Sequence, residues 1–289
     1  MHNEHQRAAH DLLRLGDLDG ALRIAENSVQ NATNPWPFRI VLLEVRRLRG
    51  QRDEALRELE HLELVDPPVR GDIESCISIK RLRGYYAGLL GRFRAAHQLL
   101  KDAEAIAVDA SLIEPLAEVH QCQAMIYFLE QNYAESDRVF RVVLELSRQI
   151  GGWYFFGSAL WGIGKNLMIQ THYDQALPWL QQALAVIESA GAKTFAAVVW
   201  EEMAVCELGL GNDVASLDLL RRAEAVQLEA RAPANYQVVL ANIGNVYLYR
   251  HEIAREIKDP VSIYKWTYNT NLALIRMREA IDQAAQNDS

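Results

Sequence analysis

Cysteine is scarce: Cys76, Cys122 and Cys206 stand far apart in 289 residues, with no Cys-x-x-Cys pair. That pattern excludes a disulfide framework and points to buried thiols in a reducing compartment. Glycine and proline, at 16 and 8, are too few for a loop-rich fold. Long apolar runs are missing too. The uncharged stretch Gln149 to Gly164 is too short and too interrupted by glycine for a membrane span of about 20 residues. The opening MHNEHQRAAHD has no apolar segment of a secretory signal, so a cytoplasmic protein is expected. A net positive charge is lacking as well. The formal charge of −8 argues against a general nucleic-acid binder, which needs a basic face.

Helix formers fill the space these absences leave. Half the residues are apolar and about a quarter charged, enough for a large core. The charge is uneven. Residues 1–94 hold 15 Lys/Arg against 14 Asp/Glu, and residues 95–289 hold 15 against 24. The local basic excess lies around Arg46, Arg47, Arg49 and Arg52, and around Lys80, Arg81, Arg83, Arg92 and Arg94. Two uses stay open for it: solvated helix faces, or a patch for an acidic ligand.

The strongest signal is self-similarity. LGDLDGAL (15–22), RGQRDEAL (49–56), LGRFRAAH (90–97), EQNYAESD (130–137), QTHYDQAL (170–177) and LGNDVASL (210–217) are each a turn opening an amphipathic run. Their second residues, Gly16, Gly50, Gly91, Gln131, Thr171 and Gly211, lie 34, 41, 40, 40 and 40 apart. Five places after these anchors sit Ala21, Ala55, Ala96, Ser136, Ala176 and Ser216, all small. Seven places before them sit Ala9, Leu43, Gly84, Ala124, Gly164 and Ala204, with Gly244 one period later. A helical glycine costs about 1 kcal/mol against alanine, and close approach of a neighbouring helix is the compensation. Large residues follow nine places after the anchors, at Leu59, Leu100, Phe140, Leu180 and Leu220. Each repeat is therefore read as two helices that cannot bury their apolar face alone and must stack.

These positions map first helices to 3–15, 36–49, 71–90, 111–130, 152–170, 193–210 and 233–250. Second helices map to 18–31, 52–65, 93–108, 133–150, 173–190 and 212–231. A turn is expected near 251, then a shortened second helix, and from Asp259-Pro260 a new helix through about Ala285 whose part from Trp266 to Met277 reads as another first helix. The division is thus a repeat array over 1–250 and an atypical, capping end over 251–289.

No catalytic constellation emerges, and the chain is read as a non-enzyme without metal or cofactor. The string GSALWGIGK (157–165) tempts toward a phosphate loop, but Ala159 takes the first glycine's place, Asn166 the Ser/Thr place, and the segment reads as helix. The eight histidines give no His-Glu-x-x-His, and His120 and Cys122 diverge on a helix. His2, His5 and His10 fall on a stretch expected to fray.

The small–large–small–large pattern, with Asn242-Ile-Gly-Asn-Val-Tyr247 and His172-Tyr-Asp-Gln-Ala-Leu177, resembles the tetratricopeptide repeat in a long, 40-residue variant. The resemblance covers about residues 3–250. It implies an all-α, right-handed superhelical solenoid of about seven units whose first helices line a concave groove for a peptide or protein. The inward places it implies include Arg14, Arg47, Arg81, Tyr85, Gln121, Met125, Phe128, Trp161, Lys165, Glu201 and Asn245, with His10, Glu44 and Glu118 among their neighbours. Tyr85, Phe128 and Trp161 could instead belong to the core between helices. Asn242 and Asn245 resemble the asparagines with which some members hold a peptide's carboxylate, although the accompanying basic residues are incomplete. The arginines would give the N-terminal half of the groove a taste for acidic ligands. Two functions follow: a stand-alone binding scaffold, or the sensor arm of a bacterial signalling system controlling an effector such as a transcription regulator or caspase-like protease. RNA recognition would need a basic face that the composition does not supply.

Overall fold

The structure, a computed structural model, describes residues 2–68, 71–230, 233–256 and 275. Among them the chain forms thirteen α-helices and no strand. First helices are α1 (His2–Leu15), α3 (Trp36–Leu48), α5 (Ile73–Leu89), α7 (Ile113–Leu129), α9 (Tyr154–Ile169), α11 (Lys193–Gly209) and α13 (Pro233–Glu256). Second helices are α2 (Leu18–Val29), α4 (Arg52–Val65), α6 (Phe93–Asp109), α8 (Tyr133–Ile150), α10 (Tyr173–Ser189) and α12 (Asp213–Glu229). No helix among the described residues is long and apolar enough to cross a membrane.

The anchor positions end the first helices, and each does so in the left-handed conformation. Gly16, Gly50, Gly91 and Gly211 have φ between 71° and 89°, while Gln131 and Thr171 adopt 62° and 63°. The next residue's N–H then reaches back five places, as in Asp17 to Leu12 O at 2.9 Å and Asn132 to Tyr127 O at 2.9 Å. This is the Schellman closure, and it explains why glycine recurs there. A second left-handed row, Gly71, Ser111, Gly151 and Gly191, marks the turns between repeats at the same 40-residue interval.

The chain divides into two compact units, Met1–Asn166 and Leu167–Ser289. In the first, Leu59, Leu100 and Phe140 are fully buried, as the repeat pattern predicts. A Cβ on Gly84 would lie 2.8 Å from Leu100 Cγ, which is the close approach inferred for that glycine. Ser136, on the small place of its repeat, donates to Ala124 O at 2.8 Å and accepts from Asn166 Nδ2 at 3.0 Å. In the second unit, Leu180 and Leu220 are likewise buried, and Ser216 repeats the bond by donating to Ala204 O at 2.7 Å. Burying each such leucine contributes about 2 kcal/mol. Its core joins Ala197, Ala204, Leu220, Ala223, Val239 and Val246 across α11, α12 and α13.

Two expectations need correction. No turn forms near 251, because α13 runs on to Glu256. Arg250-His-Glu-Ile-Ala-Arg-Glu256 holds helix formers and no residue suited to a left-handed cap. The expected helix from Trp266 to Met277 falls outside the described residues, apart from Ile275. Second, the N-terminus does not fray up to His10, which sits half-buried within α1.

Candidate functional site

Four first helices of the N-terminal unit bring their inward side chains together as an alternating string of charges. Arg47 Nε donates to Glu44 Oε2 at 2.6 Å within α3. Glu44 Oε1 accepts from Arg81 Nη1 of α5 at 3.0 Å. Arg81 Nε lies 3.4 Å from Glu118 Oε2 of α7, an ion pair without hydrogen-bond geometry. Glu118 Oε1 accepts from Arg14 Nη2 of α1 at 3.3 Å, and the same nitrogen reaches Glu114 Oε1 at 2.7 Å. The string is most sheltered in the middle, where the side chains of Glu44 and Arg81 are 8% and 11% exposed; Arg14, Glu118 and Arg47 follow at 19%, 22% and 25%, and Glu114 is the most open at 49%. Aromatic faces complete it. Arg47 lies 5.2 Å from the Tyr85 ring centre, and Arg14 lies 4.8 and 5.1 Å from those of Tyr154 and Phe155 on α9.

The three arginines singled out by position do converge, but each is already matched by a carboxylate. Burial alone would push the Glu44 carboxyl up; Arg47 and Arg81 outweigh it and hold the group at about 2. Burial would lower Arg81, yet Glu118 and Glu44 hold its proton more tightly than in a free arginine. Burial pushes the Tyr86 hydroxyl up, with Glu44 adding to the effect, and that hydroxyl has no hydrogen-bond partner among the described residues.

His10 completes the cluster with the opposite sign. Burial holds its imidazole below the usual 6.5; Glu118 and Glu44 oppose this, and Arg14 and Arg81 reinforce it. The unfolded chain therefore takes a proton near pH 6.5 that the folded chain refuses, and stability falls as pH drops below that value. Glu44 acts in a lower window: its contribution is complete above its ordinary 4.5 and fades as pH falls toward 2. Melting followed by circular dichroism should show two declines, one starting near pH 6.5 and one below about pH 4.5. His10→Gln should abolish the first and leave the second. A flat profile between pH 7 and 5 in the parent would refute the assignment.

Farther along the face lies an aromatic shelf. The ammonium of Lys165 on α9 sits 5.4 Å from the ring centre of Phe128 on α7 and 4.8 Å from that of Trp161. Phe128 meets Tyr133 edge-on at 5.7 Å. Phe128 and Trp161 are half-buried, and Tyr85 packs partly against the core around Ala96, Leu100 and Ile126. Gln121 and Met125, half-buried on α7, fall between the string and the shelf. The segment once tempting as a phosphate loop lies wholly inside the described chain, with Lys165 on α9 and Asn166 buried against Ser136.

In the second unit, Glu201 of α11 is buried, with Gln227 Nε2 of α12 at 3.5 Å. On α13, Asn242 is half-buried and Asn245 exposed. The thiols of Cys122 and Cys206 are buried, and burial pushes Cys206 up to about 12; Cys76 is only half-buried. A polar cavity of about 310 Å³ between α6, α7 and α8 holds His97 and His120, bonded to Glu130 and Gln123 at 2.9 Å each. Among the described residues no group of three or more His, Cys, Asp or Glu is placed to hold a metal ion.

Thirteen helices alternating at a 40-residue period, with left-handed anchors and small-on-large crossings, match known solved structures over most of the chain. The Rap protein complexed with competence and sporulation factor superposes at a TM-score of 0.61, with 17% identity, over 98% of this chain and 88% of that one. This is the tetratricopeptide-repeat fold. BtubC from P. vanneervenii shares it at a TM-score of 0.60 and 14% identity, over 84% of this chain and 92% of its own. So does the STAND signal-transduction ATPase with a tetratricopeptide repeat sensor from Pyrococcus horikoshii, at 0.61 and 16% identity over 96% of this chain. The chain spans about half of that ATPase, 47% of its length. No family model and no curated protein matches the sequence. The tetratricopeptide-repeat fold thus rests on the structure, where the repeat spacing had pointed.

Proposed function

We propose that this chain is a non-catalytic receptor that binds a peptide or protein segment along the first helices of its N-terminal unit. One observation carries the reading: Phe128 and Trp161, large apolar side chains that are only half-buried, flank the Lys165 ammonium at 5.4 and 4.8 Å from their ring centres. Rigid aromatic side chains give binding area at low entropic cost, which is why they dominate hot spots. Met125 beside them adds an adaptable apolar contact. Arg14, Arg47, Arg81, Tyr85 and Gln121 extend the surface. The sensor-arm reading gains support from the P. horikoshii ATPase, where such repeats serve as the sensor, and from the Rap protein complexed with competence and sporulation factor. The location fitting this reading is the cytoplasm.

The test is capture of partners by the wild type and by a Phe128→Ala/Trp161→Ala variant of unchanged helical content. Tyr85 is left intact because it packs against the core. A partner retained by wild type and at least about tenfold depleted on the variant supports the reading, since truncating a hot-spot residue costs about 2 kcal/mol or more. Equal retention would sink it.

A further inference from the structure

The string of charges ends asymmetrically, and its open end has the makings of a ligand site. Three arginines face two well-sheltered carboxylates, Glu44 and Glu118, and balance is reached only through Glu114, half-exposed at the solvent end. Arg14 holds Glu114 from a helix a hundred residues away in sequence, with its guanidinium over the Tyr154 and Phe155 rings. A flat cation stacked on aromatics and bonded to a carboxylate that solvent reaches is how a binding site holds an acidic group. Here the acidic group is the chain's own.

The same face of α7 connects this end to the aromatic shelf. Glu114, Glu118, Gln121, Met125 and Phe128 follow a 4-3-4-3 spacing, one stripe of a helix. From Glu114 to Phe128 the helix rises about 21 Å, the length of about seven extended residues. We infer that Glu114 occupies, in the free protein, the place of a partner's carboxylate on Arg14. The ligand is then a peptide with an acidic group at one end and, about 20 Å away, a large apolar side chain for Phe128 and Trp161. This rests on the peptide-receptor reading and names the ligand's chemistry. It also turns the expected taste for acid into an exchange, because Arg47 and Arg81 are matched by the sheltered Glu44 and Glu118, while the carboxylate on Arg14, Glu114, is the most exposed of the string at 49%.

Fluorescence polarisation with a designed probe decides it. The probe is a fluorescein-labelled octapeptide with two glutamates at one end, Leu-Phe at the other and a Gly-Ser spacer; a twin carries glutamines. The chain's net charge of −8 repels an acidic peptide in general, so binding of the glutamate probe reports a specific site. Glu114→Gln removes the internal competitor and should tighten the glutamate probe about tenfold over wild type, as for a site otherwise occupied nine-tenths of the time. The glutamine twin should show no gain. Arg14→Gln should abolish the gain, and Arg14→Lys, which keeps the charge but not the planar fork, should restore only part of it. Equal affinity of wild type and Glu114→Gln, an equal gain by the twin, or no binding of the probe to any variant overturns the inference. The Phe128→Ala/Trp161→Ala variant separates the two claims. If it loses the probe while Glu114→Gln has no effect, the receptor reading stands and the exchange falls. If it keeps the probe and the Glu114→Gln gain, the exchange stands and the aromatic shelf is idle.

Discussion

Replacing Arg81 by leucine should destabilise the N-terminal unit by about 3 kcal/mol, one of the two largest single-residue effects in the protein. Arg81 is the middle of the string: it alone touches both sheltered carboxylates, Glu44 at 3.0 Å and Glu118 at 3.4 Å, and its Nη1 also lies 3.8 Å from Cys122 Sγ. Removing it leaves Glu44 with Arg47 and Glu118 with Arg14, but strips each buried carboxylate of half its compensation. An exposed pair would contribute about 0–1 kcal/mol and weaken with salt; a buried one resists screening because ions cannot enter. The loss should therefore be nearly the same at 0.05 M and 0.5 M salt, on the order of 3 kcal/mol at both. Because a repeat array unfolds in pieces, hydrogen exchange of α5 and α7 is the appropriate readout, with α11 and α12 as internal reference. Unchanged protection of α5 would mean that the string is solvated and the carboxylates need no partner. Replacing Glu44 by leucine together with Arg81 should recover part of the loss, since a buried pair removed whole leaves no naked charge.

The string also shows where sequence stops informing. Arg14, Glu44, Arg47, Arg81 and Glu118 were all legible as inward positions, because each lies at a fixed distance from its anchor. Their pairings were not. Helical spacing reports neighbours three or four residues apart, while Glu44–Arg81 and Arg14–Glu118 are 37 and 104 residues apart and depend on how successive repeats stack. Hence the basic excess of residues 1–94 leaves both solvated faces and an acidic-ligand patch open in the sequence, when α7, beyond that stretch, supplies two of the carboxylates that balance it. His10 illustrates the same point: Glu118, Arg81 and Glu44 of other repeats act on its imidazole together with Arg14 of its own helix.

The fold was more legible, since its determinants are local. An anchor needing a left-handed backbone selects glycine, and a crossing needing close approach selects small residues, so both recur with the period. The row Gly71, Ser111, Gly151 and Gly191 was equally readable, had the interval been applied to the turns between repeats as well as within them. The end of α13 was not, because a run of helix formers there says nothing about where a turn belongs.

The nesting of Phe140 on α9 gives the other large expected effect, and its sign is the test. Gly→Ala in a helix ordinarily stabilises by about 1 kcal/mol. At Gly162 it should destabilise by about 2–3 kcal/mol. A Cβ there would lie 2.4–2.5 Å from three atoms of the Phe140 ring. That ring is 1% exposed, one of the largest fully buried side chains, and has no open space to swing into. Phe140→Leu alone should also destabilise, by about 1–2 kcal/mol for the volume it vacates. Combined, the two changes fit: the shorter side chain clears the methyl, and the helix gains alanine's propensity. A double-mutant cycle should therefore show a favourable coupling of about 2 kcal/mol, far beyond the few tenths seen for independent sites. Additive losses would mean that α8 and α9 do not meet at this crossing.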